Sequence, residues 1–167
     1  MNTKSVSASE TILTHFLLPE DANPAGNIHG GVIVKHIDSA AGVAAFRHAR
    51  CNVVTASIDR LDFIHPAYVG NLLILRASVN MAGRTSMEIG VRAETETLLT
   101  GEIRHVASAY LTFVALDEEG RPTPVPHLTP ETALQQRRHR MAQARRKLRL
   151  AEKARENACE DDPDQCA

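Results

Sequence analysis

Between residues 31 and 47 the chain runs without proline and places apolar side chains at Val32, Ile33, Ile37, Ala40, Ala41, Ala44 and Ala45. That spacing predicts a helix from Gly31 to Arg47, roughly 25 Å long at about 1.5 Å per residue. Its apolar positions cover most of the circumference, so little of it is expected to see water. Gly31, Lys35, Asp38 and Gly42 fall on one narrow face, with the carboxylate between small residues. Before this helix lie turn formers, Pro19, Asp21, Asn23, Pro24, Gly26 and Asn27, and residues 11 to 18 alternate as a first strand. After it come four segments of period two, residues 51–64, 72–82, 86–97 and 103–116. In the third, Met87, Ile89, Val91 and Ala93 face one way while Glu88, Arg92, Glu94 and Glu96 face the other, as in a half-buried strand.

Strand, helix, then four strands is an α+β order, with a curved antiparallel sheet around a central helix. Breaks at Pro66 to Gly70, at Gly83-Arg84 and near Gly101 separate the strands, and the short links favour antiparallel pairing. One sheet cannot enclose so apolar a helix, so a second copy is expected to cover the open flank. The chain divides into a flexible N-terminus (1–9), one compact domain (10–128), a basic C-terminal helix (129–157) and an acidic, disordered tail (158–167).

Charge sharpens that division. Residues 137–155 hold nine Lys or Arg and one acid, whereas 156–167 hold five acids and no base, so the net charge of −1 conceals a segregated pattern. The basic helix reads as solvated, with Met141, Leu148 and Leu150 as a thin apolar edge for docking. No aromatic stacking residue accompanies the basic run, which argues against a nucleic-acid partner. Neither residues 1–9 nor any later stretch has the apolar run of a leader or a membrane span, so no membrane is expected. Three cysteines, Cys51, Cys159 and Cys166, lack metal-ligand spacing and point to a reducing, cytoplasmic compartment.

Asp38 is the candidate centre of chemistry, because a carboxylate on so apolar a helix is costly unless it is paired or used. Pairing with backbone or with a cation such as Arg60 or Arg76 is one reading. The other is a general base or nucleophile in a dry cleft. The helix start at Gly30, Gly31 and Val32 offers backbone N–H groups to an oxyanion. Asn23 either orients a reactant or stabilises the turn before Pro24. His29 and His36 lack a third ligand, so no metal is expected. No G-x-S-x-G elbow, phosphate-binding Walker loop or C-x-x-C pair occurs.

The runs Pro19-Glu20-Asp21-Ala22-Asn23, Gly26-Asn27-Ile28-His29-Gly30-Gly31, Ile37-Asp38 and Ala41-Gly42 resemble the hot-dog-fold acyl-CoA thioesterases, in the branch of brain acyl-CoA hydrolase and the bacterial YciA-type enzymes. The likeness continues through Phe63-Ile64-His65-Pro66 and Gly83-Arg84-Thr85-Ser86-Met87-Glu88 to about Asp117. It implies a hot-dog fold, hydrolysis of fatty acyl-CoA to fatty acid and coenzyme A, and catalytic roles for Asn23 and Asp38. His29 and the Gly31 N–H are assigned to the oxyanion on this reading, and Arg84, Thr85 and Ser86 to coenzyme A. The resemblance also implies a homo-oligomer, a dimer with a continuous sheet and often a trimer of dimers, with sites at the dimer interface. No cofactor is needed, coenzyme A being part of substrate and product. A basic C-terminal helix could then assist the coenzyme A phosphates. Two rivals use the same pocket: a hydratase-dehydratase pairing His29 with Asp38, and a non-catalytic acyl-CoA-binding module.

Overall fold

A computed structural model describes residues 2–161, with side chains to residue 156. The predicted helix is α1, Gly30–Ala49. The five expected strands are β2 (Thr11–Phe16), β3 (Asn52–Phe63), β4 (Asn71–Ala82), β5 (Ser86–Thr97) and β6 (Glu102–Leu116). They form one antiparallel sheet in the order β2-β4-β5-β6-β3.

One face of the sheet receives α1. Leu73, Leu75, Ala77 and Val79 of β4, the β5 residues Met87, Ile89, Val91 and Ala93, and Leu111 and Phe113 of β6 enclose Ile33, Ile37, Ala40, Ala41, Ala44 and Ala45. The four alanines let the helix backbone lie close to the sheet, while Ile33 and Ile37 each contribute about 1.5–3 kcal/mol by burial. The apolar surface of α1 is not closed all round, however. Gly31, Lys35 and Ser39 are exposed on the opposite flank, and so are Val43 and Phe46, the latter 48% accessible. That open flank continues onto β3, an edge strand that exposes Val54, Ile58 and Phe63. A long edge strand with apolar side chains is a template for pairing with another chain.

The other face of the sheet carries α2, Ala133–Asp161. The expected solvated helix docked along Met141, Leu148 and Leu150 is corrected here, since all three are exposed. Docking runs instead through the fully buried Ala142 and through ion pairs. Arg145 donates to both carboxylate oxygens of Glu88, at 3.1 and 2.6 Å, and stacks on the Tyr110 ring. Arg149 pairs with Asp59 and bonds Thr112, and His139 donates to the Asn80 carbonyl at 3.0 Å. Asn80 adds a bond to Glu88 at 3.1 Å. Gly90 makes room for it, because a Cβ there would lie 2.5 Å from the Asn80 amide nitrogen. Glu88 is therefore 1% exposed although it sits on the polar face of β5. The helix start lies four residues later than the expected 129, and the end of the expected acidic tail, 162–167, lies outside the described residues.

The start of the chain is also tied down. The expected flexible segment contains β1 (Thr3–Ser5), which pairs in parallel with β7 (His127–Thr129), and it buries Val6 and Ser9. Lys4 donates to the carbonyls of Arg47 and His48, at 3.2 and 2.7 Å, satisfying orphan acceptors at the end of α1. His48, fully buried, bonds the Pro126 carbonyl at 2.9 Å. Burial, reinforced by Lys4, lowers its pKa against the opposing bond to Pro126.

Candidate active site

The site is built along the exposed flank of α1. Asp38 is half-buried there, and its Oδ1 accepts a hydrogen bond from the Thr55 hydroxyl at 2.7 Å. Thr55 sits two residues after the buried Val53, so strand alternation turns it toward α1. A β-bulge follows it between Thr55 and Ser57 and ends the regular register at that point. Neither expected cation reaches Asp38: Arg60 pairs with Asp62, and Arg76 with Glu94. The second carboxylate oxygen has no partner among the described residues.

His29 and the glycines form the start of the same helix. His29 is the N-cap, and its Nδ1 accepts from the Gly31 N–H at 3.0 Å, while the Val32 N–H donates to the His29 carbonyl. The Gly31 N–H, expected to face an oxyanion, is thus occupied by the His29 ring. The Gly30 N–H has no acceptor among the described residues. Both glycines are closely approached: a Cβ on Gly30 would lie 3.3 Å from the Phe63 ring, and one on Gly31 would lie 3.1 Å from His29 Nδ1.

Asn23 organises its own loop. Its Oδ1 accepts from the N–H of Ala25 at 2.9 Å and of Asn27 at 3.3 Å, and its backbone N–H bonds the Asn27 carbonyl. The side-chain NH2 makes no bond to another described residue. This loop is anchored to the helix start, since the His29 N–H donates to the Asp21 carbonyl at 2.8 Å. Asp38 is eight residues into α1, about 12 Å further along the axis. Within one chain, then, the structure joins Asp38 to Thr55 and His29 to Gly31, but does not join Asn23 to Asp38.

Arg84, Thr85 and Ser86 form the hairpin between β4 and β5, closed by the Gly83 N–H on the Ser86 carbonyl at 2.7 Å. The Thr85 and Arg84 carbonyls accept from Ala115 and Val125, which fixes the hairpin against β6 and the segment after it. The Arg84 side chain is exposed and has no partner among the described residues. No three His, Cys, Asp or Glu side chains converge on a metal position among the described residues.

Sequence reading missed Thr55. The available signal was its place two residues after Val53 on a predicted strand, which puts a hydroxyl on the helix-facing side.

The chain as a whole resembles known proteins. Residues 25–102 match the family model described as Thioesterase superfamily. The chain is 39% identical to an acyl-CoA thioester hydrolase of Bacillus subtilis over 130 residues, 78% of this chain and 76% of the relative. An apo-hexameric acyl-CoA thioesterase superimposes with a TM-score of 0.89 at 43% identity, covering 92% of this chain and 99% of that one. An acyl-CoA hydrolase from Staphylococcus aureus, solved with butyryl coenzyme A and coenzyme A, gives 0.88 at 34% identity, covering 95% and 97%. With its five-stranded antiparallel sheet wrapped on α1 and its likeness to these proteins over most of its length, the chain belongs to the hot-dog-fold acyl-CoA thioesterases of the thioesterase superfamily.

Proposed function

We propose that the chain hydrolyses acyl-CoA thioesters with Asp38 as the reacting carboxylate, at a site completed by a second copy of the chain. The observation that carries the assignment is the Asp38 carboxylate, held through one oxygen by Thr55 and open at the other on the exposed flank of α1. The S. aureus hydrolase has been solved with an aspartate, an asparagine and a threonine each replaced by alanine. The asparagine precedes the aspartate by 15 residues and the threonine follows it by 17, the spacing of Asn23, Asp38 and Thr55.

As a general base, Asp38 takes a proton from water while the water oxygen bonds the thioester carbonyl carbon. The developing oxyanion is stabilised at the start of α1, by the Gly30 N–H, and by that of Gly31 once the His29 ring turns away. Collapse breaks the C–S bond, and the thiolate takes the proton from Asp38. As a nucleophile, Asp38 instead bonds the thioester carbonyl carbon and expels the coenzyme A thiolate, leaving a mixed anhydride that water hydrolyses to the free fatty acid and the Asp38 carboxylate. Asn23 contributes its free NH2 to the water or the carbonyl. The 12 Å offset along α1 puts the helix start and Asn23 out of reach of Asp38 in the same chain, so both serve the partner's Asp38.

The open flank of α1 and the β3 edge supply the dimer contact, with β3 pairing to its copy in a continuous sheet. Three such dimers form a hexamer, and the acyl-CoA thioesterase that superimposes on this chain is hexameric. The location is cytoplasmic, as for the cytosolic acyl coenzyme A thioester hydrolase of Homo sapiens, 36% identical over 136 residues. Fatty acyl groups are the substrate class, their tails lying along the apolar α1 flank. A hydratase would need His29 and Asp38 as a pair. Here the His29 ring bonds the Gly31 N–H and is not paired with Asp38, nine residues on.

Asp38→Asn tests the assignment, because it keeps the shape and the Thr55 contact but removes the base. Released thiol should fall ~100-fold or more while coenzyme A binding persists. Hydrolysis near the parental rate would reject the role of Asp38.

A further inference from the structure

The helix α1 is gripped on two sides. Asp38 faces Thr55 of β3, whereas His36, two residues earlier and about 200° round the helix, faces β2. There its ring stacks on that of His15, with centroids 3.9 Å apart and planes 29° from parallel. His15 Nε2 in turn lies 3.7 Å from Asp21 Oδ2. Asp21 is the knot of the loop that carries Asn23: its Oδ2 accepts from the Leu18 N–H at 2.9 Å, and its carbonyl accepts from the His29 N–H at 2.8 Å. Ala22 and Ile28 are bridged across the loop beside it. The two rings therefore join the Asn23 loop to α1 by way of β2, in the stretch between the helix start and Asp38.

A stack of two imidazoles holds only while it carries at most one proton. The groups that act electrostatically on His36 are His15 on β2, Asp21 on the loop and Lys35 on α1 itself. Burial first, then His15 and Lys35, lower the His36 pKa, and Asp21 opposes them. One carboxylate balances one added proton. A second proton would set two cations face to face beside Lys35, and the rings part instead. We propose that the His15–His36 stack is a pH-sensitive positioning element for the reaction: uncharged, it holds the Asn23 loop in place on α1, and doubly charged it releases that loop, so that turnover fails in acid while the rest of the fold is intact. This rests on the reading of Asn23 as a group that meets the substrate. Both rings lie on the side of α1 away from Asp38, so they act through the loop.

The test follows kcat at saturating acyl-CoA from pH 7.5 to 5.5, together with amide exchange of the substrate-free protein, read by mass spectrometry for residues 18–29 and 86–97. In the parent, kcat should fall about tenfold, and protection of 18–29 should fall alongside it while that of 86–97 in β5 holds. The double variant His15→Phe with His36→Phe keeps two stacked rings that cannot be charged. Its kcat should lie within about twofold of the parent at pH 7.5 and fall less than about threefold by pH 5.5, with 18–29 still protected. His36→Ala removes the stack at every pH, so its loop should be poorly protected and its kcat low already at pH 7.5. Asp38 is present in every chain, so its own titration is common to all. An acid limb in the double variant as deep as the parent's would overturn the proposal. So would constant protection of 18–29 through the parent's limb, a result that needs no variant. Exchange is read without substrate, so failure of the thioesterase reading would show separately, as absent hydrolysis with the exchange pattern intact.

Discussion

The Thr55 hydroxyl donates to Asp38 Oδ1 at 2.7 Å, bridging β3 and α1 at the one carboxylate of the helix. This bond fixes which oxygen of Asp38 is held and which is available. Thr55→Val keeps the volume and removes the donor, leaving the carboxylate free to rotate. The expected result is a fall in kcat of about tenfold with little change in KM, and Thr55→Ser should restore most of it. Steady-state kinetics on one acyl-CoA checks this.

The Glu88–Arg145 pair should govern the docking of α2. Glu88 is fully buried and the Arg145 side chain is 21% exposed, so removing one partner strands a charge in the interior. Although burial opposes it, the bond and charge of Glu88 hold the Arg145 pKa above its ordinary value. Arg145→Ala should cost roughly 3 kcal/mol, read as a lower urea midpoint. Truncation after Gln136 removes the Asp59 partner as well and should destabilise further, an effect that a solvated helix would not show.

Acid should weaken the fold through one buried and one partly buried histidine, His48 and His36. Burial lowers the pKa of His48 and of His36, the latter helped by the stacked His15 and by Lys35 against the opposing pull of Asp21. An unfolded histidine takes its proton near pH 6.5, and the folded ones only at lower pH. The unfolded state therefore binds more protons below about pH 6.5, so this stability is complete above that pH and is lost as the pH falls toward the folded values. Thermal melts from pH 7.5 to 5.5 should show a declining Tm, and His48→Asn should make the decline shallower.

What could be read from the sequence follows from the range of each interaction. The strands β3 to β6 and helix α1 end where Gly, Pro and Asn interrupt a clear period, so their limits were legible to within a few residues. Strands β1 and β7 were not, because three-residue strands carry no period and pair across more than a hundred residues of chain. Glu88 read as a solvent-facing acid since its partner lies 57 residues away. The family motif marked Asn23, His29 and Asp38, but only coordinates show that His29 occupies the Gly31 N–H and that Asn23 uses its carbonyl oxygen within its own turn. The apolar positions over most of the α1 circumference predicted that little of the helix sees water, one flank being covered by a second copy. In one chain it buries a single flank, and the remainder belongs to the proposed contact between copies.

That shared site is tested most directly by complementation. Asn23→Asp retains an oxygen acceptor for the Ala25 and Asn27 N–H groups while removing the NH2, and Asp38→Asn removes the carboxylate. Each variant alone should be nearly inactive. After the two are unfolded and refolded together, random pairing makes about half the dimers mixed, each with one intact site, which gives about a quarter of parental activity. The measurement is the rate of thiol release from acyl-CoA, with subunit exchange established by mass spectrometry. Recovery to about a quarter is the predicted result; confirmed exchange with no recovered activity would contradict a site built from two chains.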